Sequence, residues 1–488
     1  MLHPRRFMPI PAEILAVPRP KSTRVKKSGD RWLVIKRTCR REGKRNIPVD
    51  LGTIGEIIDG KYVEIRKEPR PRRVDIKDYG EVRLCSDCAG DMLQELAHVW
   101  DIADAKKLFC MAVLRAAYGS IRNRELQLQY STSFLSEMIP GVGLSENTVS
   151  AFLMSVGMQS SLIAEFMNNR LAKYGTATVI VDGMLKDYNS HCSSMSEFSR
   201  KGAKKGSRDT SIIYAYSPEL MEPMAARPYP GNLLDSTAVE DFLIETKIEK
   251  GLMIFDKGFH NDAVFEAIEK KPGMSYLIPL KRNSAIISRY RMDNPTEHLQ
   301  GYKDSVVLYK KAKMTNGKWL YAFRDPHLAF EQECAYVNSA AKKEKYNPGR
   351  YEELRPRFGL IVFQSKSDLD PLTIYMAYLG RWEIETMFDL YKNIIDRDTV
   401  NIHNDYRLYA TEFINFLTVI IAMRVKKKLI DTKLNKKYSQ KEIFHYLAKV
   451  KKVRIGNDDR WRSEWTKSCS SLTAQPPSQT SVPTPSWE

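Results

Sequence analysis

The spacing of apolar and polar positions divides the 488-residue chain into stretches of different texture. In residues 1–80, WLVIKR (Trp32–Arg37) and KYVEIRKE (Lys61–Glu68) run apolar or alternate, with Pro and basic residues between them. That pattern predicts short strands and loops. Residues 91–173 place apolar side chains three and four apart, as in MLQELAHVWDIADAKKLFCMAVLRAAY (Met92–Tyr118), the spacing of helices. Here one helix should stop at Pro140-Gly141 and another start after Ser145, a good capping residue. This is the outline of a helix-turn-helix, and equally of any helical hairpin. From Ala177 the texture turns to short β-branched runs: ATVIVD, SIIYAYSPELMEPMAARPY folded around Ser217–Glu219, LMIFD and MSYLIPLK. The helical patterns STAVEDFLIETKIEK and HNDAVFEAIEK separate the later strands. The order β, β, β, α, β, α, β predicts an α/β fold, a mixed sheet with helical cover.

Residues 281–370 interrupt this alternation. SVVLYKKAKMT and KWLYAFRD flank Asn316-Gly317, a strong hairpin signal, and FGLIVFQS reads as a further strand. A long helix is predicted after Asp370-Pro371, where Asp can cap and Pro suits the first turn. Residues 401–465 are helical in pattern, with a basic face at Arg424–Lys428. The predicted organisation is a basic arm at 1–80, a helical region at 91–173 with a candidate DNA-binding motif, and a catalytic α/β domain at 174–280 and 371–425. A β-rich insertion at 281–370, a C-terminal helical region at 426–465 and a disordered Ser/Thr/Pro/Gln-rich tail at 466–488 complete it.

Charge narrows the partners. Lys+Arg number 77 against Asp+Glu 59, a net +18, which favours polyanions. Residues 1–80 alone hold 21 Lys/Arg and 10 Asp/Glu, so they carry +11 of it. Arg70-Pro71-Arg72-Arg73 and the loop Arg200–Arg208 are either solvated or track a nucleic-acid backbone. The longest apolar stretch, Phe413–Met423, is about half of the roughly 20 residues a membrane span needs, so no membrane is expected as partner. Seven cysteines make no disulfide framework, which fits a reducing cytoplasm. Cys85-x-x-Cys88 lacks the second pair that a zinc site requires and reads as two ordinary thiols.

The candidate chemistry is acidic. Asp182 and Asp256 each close a buried apolar run, ATVIVD and LMIFD, where a carboxylate would stand at a sheet end. Either alone is better explained as a cap or turn residue. Two on neighbouring strands could converge on a hard divalent cation. A third would come from the helix after Pro371. At about 100° per residue from Tyr378, Arg381 lies near 300°, Glu385 near 340° and Lys392 near 320°. Asp389, near 20°, shares that face and is a rival ligand. Glu383, near 140°, is expected to point into the apolar arc of roughly 100–260°. The competing explanation of the face is a solvated one with Arg381–Glu385 ion pairing.

These residues resemble a known family. Tyr378-(2)-Arg381-(3)-Glu385-(6)-Lys392 matches the Y-(2)-R-(3)-E-(6)-K signature of bacterial insertion-sequence transposases of the DDE class. Asp256-Lys257-Gly258-Phe259 resembles that family's D-x-G-[FY] motif, and Asp182-Gly183, Pro230–Thr237 and Tyr276–Asn283 resemble further blocks. The resemblance spans roughly residues 175–425. It implies an RNase H-like fold, and Asp182, Asp256 and Glu385 as a catalytic triad holding two Mg²⁺ or Mn²⁺ ions, with Glu385 preferred to Asp389. It implies phosphate contacts at the element's ends from Tyr378, Arg381 and Lys392, and makes Trp319 a candidate for stacking on a flipped base. The partners it implies are double-stranded DNA, as element ends and target, and a second copy of the chain on that DNA. Two other readings remain open at this point, an RNase H-like nuclease without strand transfer and an inactive sequence-specific DNA-binding protein.

Overall fold

A computed structural model describes residues 9–43, 45–65, 74–175, 177–188, 190–198, 208–233, 235–255, 262–342, 346–395, 402–456 and 460–466. Asp256, the Arg70–Arg73 stretch, most of the Arg200–Arg208 loop and the tail beyond residue 466 lie outside the described residues. The chain forms two compact units, Met1–Asp75 with Ile455–Asp458, and Ile76–Arg454 with Asp459–Glu488.

The first unit is a four-stranded antiparallel sheet in sequence order: Thr23–Ser28, Arg31–Glu42, Arg45–Ile58 and Lys61–Glu64. The two central strands, of 12 and 14 residues, are longer than the short strands expected of 1–80. Pro48 hides the second one in the sequence. It is tolerated because it lies on a stretch whose outer edge faces solvent, where no ladder donor is needed. Val17, Val25, Val34 and Ile57 make a small core, with Ile14 and Trp32 packed against it.

The second unit is built on a ten-stranded mixed sheet. Thr178–Asp187 is one of its interior strands. On one side it pairs antiparallel with Arg208–Ser217, which pairs antiparallel with Glu222–Pro230. On the other it runs parallel to Gly251–Ile254, itself parallel to Met274–Pro279. The intervening helices Asp235–Glu245 and Asp262–Glu269 fall where the sequence pattern places them. Beyond Met274–Pro279 the sheet continues through Leu360–Ser365, Trp319–Arg324 and Leu308–Lys313, all antiparallel. The Asn316-Gly317 hairpin is present, with Gly317 at φ +84°.

Residues 281–370 are thus less purely β than the pattern suggests, and their strands extend the main sheet. Between those strands stands a 17-residue helix, Pro326–Lys342, none of whose residues is buried. It is tied to its surroundings by contacts such as Gln332 Oε1 accepting from the Gly359 amide at 3.1 Å and Tyr336 against Phe358, with no fully buried stripe, so it shows little apolar period to read. The helical expectation for 426–465 also needs correcting. After Gln440–Leu447 the chain enters two antiparallel strands, Lys451–Ile455 and Arg462–Glu464.

All described elements of 91–173 are helices, and they share one core with the sheet. At its middle runs Asp405–Asp431, 27 residues long, which packs against Ile102–Tyr118, Glu146–Met158 and Glu222–Pro230. It is the one described helix long and apolar enough to cross a membrane, and its apolar window is 89% buried inside the molecule. Gly157 is required at its contact with Glu146–Met158, since a Cβ there would lie 1.8 Å from the Tyr406 carbonyl oxygen. Ser145 caps Glu146–Met158, its hydroxyl accepting from the Thr148 amide at 3.4 Å. The exposed positions of that helix include Asn147, Thr148, Ala151 and Ser155, and it carries no Lys or Arg. Cys85 and Cys88 lie on the helix Gly80–Ala89, where burial pushes both thiols above their ordinary range.

Candidate active site

Asp182 does not end its strand. Thr178–Asp187 runs five residues past it, paired with Arg208–Ser217 from Ile180↔Tyr216 through Asp182↔Tyr214 to Asp187↔Asp209. What ends near Asp182 is the parallel neighbour, whose described register closes at Ile254↔Ile180. Asp182 is therefore half-buried and lies just past the point where its strand loses the described ladder on one side. Its Oδ1 accepts from the Gly183 amide at 2.8 Å. In the sequence, Asp182 and Asp256 each come two residues after that aligned pair.

Opposed residues of an antiparallel pair share a face, as do residues four apart on a strand. Asp182, Tyr214 and Lys186 thus face the same side, and the helix Pro371–Ile395 covers it. Asp370 caps this helix, accepting from the Thr373 amide at 2.9 Å, and Pro371 occupies its first turn. Ile384, Met387, Phe388 and Tyr391 are its buried stripe. That stripe centres near 230° on a wheel with Tyr378 at zero, so the core side is displaced from the expected arc. Glu383 and Glu385 flank it on opposite edges. Glu383 is not sunk in the core, contrary to expectation. Its side chain is 37% exposed and lies 3.7 Å from Lys426 Nζ. Leu379 and Leu390, which fall in the expected apolar arc, are only half-buried. An apolar residue at a helix edge is a weak guide to burial.

The two glutamates differ in where they stand along the strand. Glu383 lines a cavity with Thr178, Pro218 and Glu219, at the beginning of the Asp182 strand. At the far end, Tyr391 meets Lys186. Between them, Phe388 packs on Tyr214, the partner of Asp182, with ring centroids 5.8 Å apart. Asp182 lies between these levels on the strand, and Glu385 lies between them on the helix.

The signature residues spread around this centre. Arg381 Nη2 is 3.8 Å from Glu385 Oε1, and the Glu385 side chain is 45% exposed. Tyr378 is half-buried and packs its ring on Phe363 at 5.0 Å. Lys392 is exposed two turns beyond Glu385, and Asp389 is exposed as well. Trp319 opens a sheet strand opposite Ser365, two positions from Phe363, which places it on the face that carries Tyr378. It lies half-buried beneath Lys311 and Lys313, whose Nζ atoms stand 4.7 and 5.6 Å from its ring.

A buried polar cluster, without any sign in the sequence, joins the same strand and helix. Lys186 donates to Tyr391 Oη at 2.6 Å and to Glu412 Oε1 at 2.8 Å. The Tyr391 hydroxyl donates to Glu412 Oε2 at 2.8 Å, and Asn415 Nδ2 donates to Glu412 Oε1 at 3.2 Å. Arg115 extends the chain of contacts, donating to Asn415 Oδ1 at 3.0 Å. Lys186 and Glu412 are 2% and 3% exposed, so the charges meet out of water. Burial, with the Glu412 charge beside it, pushes the Tyr391 phenol far above its usual range. Only a buried Lys beside a buried Glu would have revealed this cluster, and they are 226 residues apart.

Among the described residues no three His, Cys, Asp or Glu side chains are close enough to hold a metal ion, and Asp256 lies outside them. Asp182 and Glu385 are both carboxylates, the hard oxygen type that suits Mg²⁺ or Mn²⁺.

The profile of the Transposase DDE domain family matches residues 173–423. The chain belongs to that family. The matched segment runs from the last turns of the N-terminal helices through the strand of Asp182 and the helix of Glu385 into Asp405–Asp431. Among solved structures, one of the piggyBac transposase synaptic complex with hairpin DNA is similar at 10% identity and a TM-score of 0.39, covering 77% of this chain and 82% of that one. That likeness is too loose to define the fold. No curated protein matches. As a member of this family the chain is a transposase, a DNA-processing enzyme.

Proposed function

We propose that this transposase binds the ends of its own insertion sequence and cuts and joins them with two divalent metal ions held by Asp182, Asp256 and Glu385. The observation that carries the reading is the register. Ile180 and Ile254 are aligned on parallel neighbours, Asp182 and Asp256 each come two residues later, and the Glu385 helix is laid over the face of Asp182. The sheet order supports an RNase H-like reading of 174–280 and 371–425. Three antiparallel strands, Glu222–Pro230, Arg208–Ser217 and Thr178–Asp187, are followed outward by two parallel ones, Gly251–Ile254 and Met274–Pro279.

Two Mg²⁺ or Mn²⁺ ions at such carboxylates supply activation of a water or 3′-hydroxyl and stabilisation of the leaving oxygen. The chain's own residues do the rest. Glu385, half-exposed, keeps an edge open to solvent where a phosphate can approach. Arg381, beside it, offers a planar fork to that phosphate, and Lys392 a point charge farther along the helix. Tyr378, packed on Phe363, is a rigid part of the same surface. Trp319 is the candidate base-stacking residue, and a base reaching it displaces Lys311 or Lys313 toward the DNA backbone. The exposed Asn147 and Thr148 of Glu146–Met158 are the candidate base readers of the helical region, which then takes its phosphate contacts from other elements. The reading places the enzyme in a bacterial cytoplasm, acting as a pair of chains on two DNA ends.

The deciding experiment supplies purified chain with pre-cut duplexes carrying the inverted repeats that flank its coding sequence, plus Mg²⁺ or Mn²⁺. Joining of the 3′ ends to target DNA supports the proposal. Cleavage without joining makes the chain a nuclease, and binding without either makes it an inactive DNA-binding protein.

A further inference from the structure

The first unit ends in an unsupported ribbon. Thr23–Ser28 pairs as far as Lys36, with one further bond from the Arg37 amide to the Ser22 carbonyl, and Lys61–Glu64 pairs with Gly55–Ile58. Beyond these supports Arg37–Glu42 and Arg45–Asp50 pair with each other, from Arg37↔Asp50 to Glu42↔Arg45. Register irregularities lie at the base, between Val34 and Ile35 and between Lys36 and Arg37. Such bulges bend a strand and increase its twist, which re-aims the ribbon beyond them. Six residue pairs at about 3.4 Å each give a two-stranded ribbon roughly 20 Å long.

Every described residue from Thr38 to Leu51 is exposed, including Ile47 at 43% and Val49 at 37%. A bare two-stranded ribbon is marginal in water, so this one gains from a partner that covers it. Charge selects the partner. From Arg37 to Asp50 the sequence has five basic residues and two acidic ones. Asp50 is held by Arg24 and by Arg37, whose Nε lies 3.2 Å away. The remaining excess is positive and suits a polyanion rather than a second copy of the same ribbon. The pairing puts Arg40 and Arg45 on one face with Ile47 and Val49, and Arg41 on the other. Both faces can therefore meet phosphates.

We propose that the Arg37–Asp50 ribbon enters the major groove of double-stranded DNA. That groove, about 12 Å wide, admits a two-stranded ribbon. Arginines on both faces reach the backbones on either side or guanine edges, and Ile47 and Val49 offer apolar contact to thymine methyls. The proposal rests on the reading of this chain as an enzyme acting on DNA and deepens it.

The test is binding of the full chain to a random-sequence duplex without metal, over a range of salt. Arg40→Ala/Arg41→Ala/Arg45→Ala should lower the slope of log K against log [salt] by about 2–3, at roughly 0.9 for each phosphate no longer neutralised. The matching Arg→Lys triple should keep the slope. Should the alanine triple fail to fold, each single alanine variant is expected to lower the slope by about 0.9. Guanine N7 methylation should weaken binding by the parent and not by the alanine triple. An unchanged slope in folded variants overturns the contact, and interference only from adenine N3 methylation overturns the groove. Because the readout needs no metal and no joining, it stands or falls apart from the transposition chemistry.

Discussion

Two charged clusters involve the same helix, Pro371–Ile395, about two turns apart, and they are built in opposite ways. Lys186, Tyr391 and Glu412 are buried and hydrogen-bonded to one another. Arg381 and Glu385 stand half-exposed at 3.8 Å, a loose pair. A buried charge must be compensated inside the protein, so the first cluster is closed and serves to fix one element against another. A half-exposed carboxylate can exchange its partners with solvent, metal or phosphate at small cost. The closed cluster holds the helix rotation that leaves Glu385 open, and the open one is where chemistry can enter.

Breaking the closed cluster should have the largest effect on stability. Lys186→Met leaves Glu412 buried without its cation and should destabilise the fold by about 3–5 kcal/mol. Adding Glu412→Leu should recover part of that stability. Denaturant unfolding of the single and double variants measures it, and a Lys186→Met effect below about 1 kcal/mol would make the cluster an incidental contact.

The open cluster should show the reverse pattern. Arg381→Lys should change stability by less than about 0.5 kcal/mol, since the pair is surface-like. It should lower end joining roughly tenfold, because a point charge replaces a planar fork. Equal joining by parent and variant, at matched DNA occupancy, would reduce the pair to ordinary helix decoration.

The smallest effect sharpens the rule with a third carboxylate. Glu81 is pushed up to about 7, first by burial and then by the Asp78 charge, with Lys451 and Lys449 opposing. Its folded form holds the proton more tightly than the unfolded chain does. Stability should therefore fall as pH rises from about 4.5 to about 7 and level off above. Glu81→Gln should remove this slope and stabilise the protein at pH 8 by on the order of 1 kcal/mol. Thermal unfolding of both chains across that pH range checks it. A slope that persists in Glu81→Gln would assign the effect to another group.

Much of the catalytic half is legible because its signals are local. β-branched runs mark the strands, Asp370-Pro371 marks the helix start, and Ser145 marks another. The features that escape depend on distant partners. The continuation of the Asp182 strand to Asp187 is set by pairing with Arg208–Ser217 and not by apolar content. The burial of Lys186 is set by Glu412 on another element. A helical wheel misplaces the side of the helix that faces the sheet because Leu379 and Leu390 weigh as much as Ile384 and Phe388, although only the latter pair is buried. The ribbon in the first unit is invisible because Pro48 and its many arginines read as a loop.

The central claim is that Glu385, and not its neighbour Glu383, completes the metal site with Asp182. The measurement is metal-dependent joining of pre-cut ends by Glu385→Gln and Glu383→Gln in chains shown to be folded and to bind end DNA. Glu385→Gln should lower joining by on the order of 10³-fold, the scale of removing a catalytic electrostatic group. Glu383→Gln, which gives up the ion pair with Lys426, should stay within about threefold of the parent. Joining that survives Glu385→Gln and fails in Glu383→Gln would contradict the account.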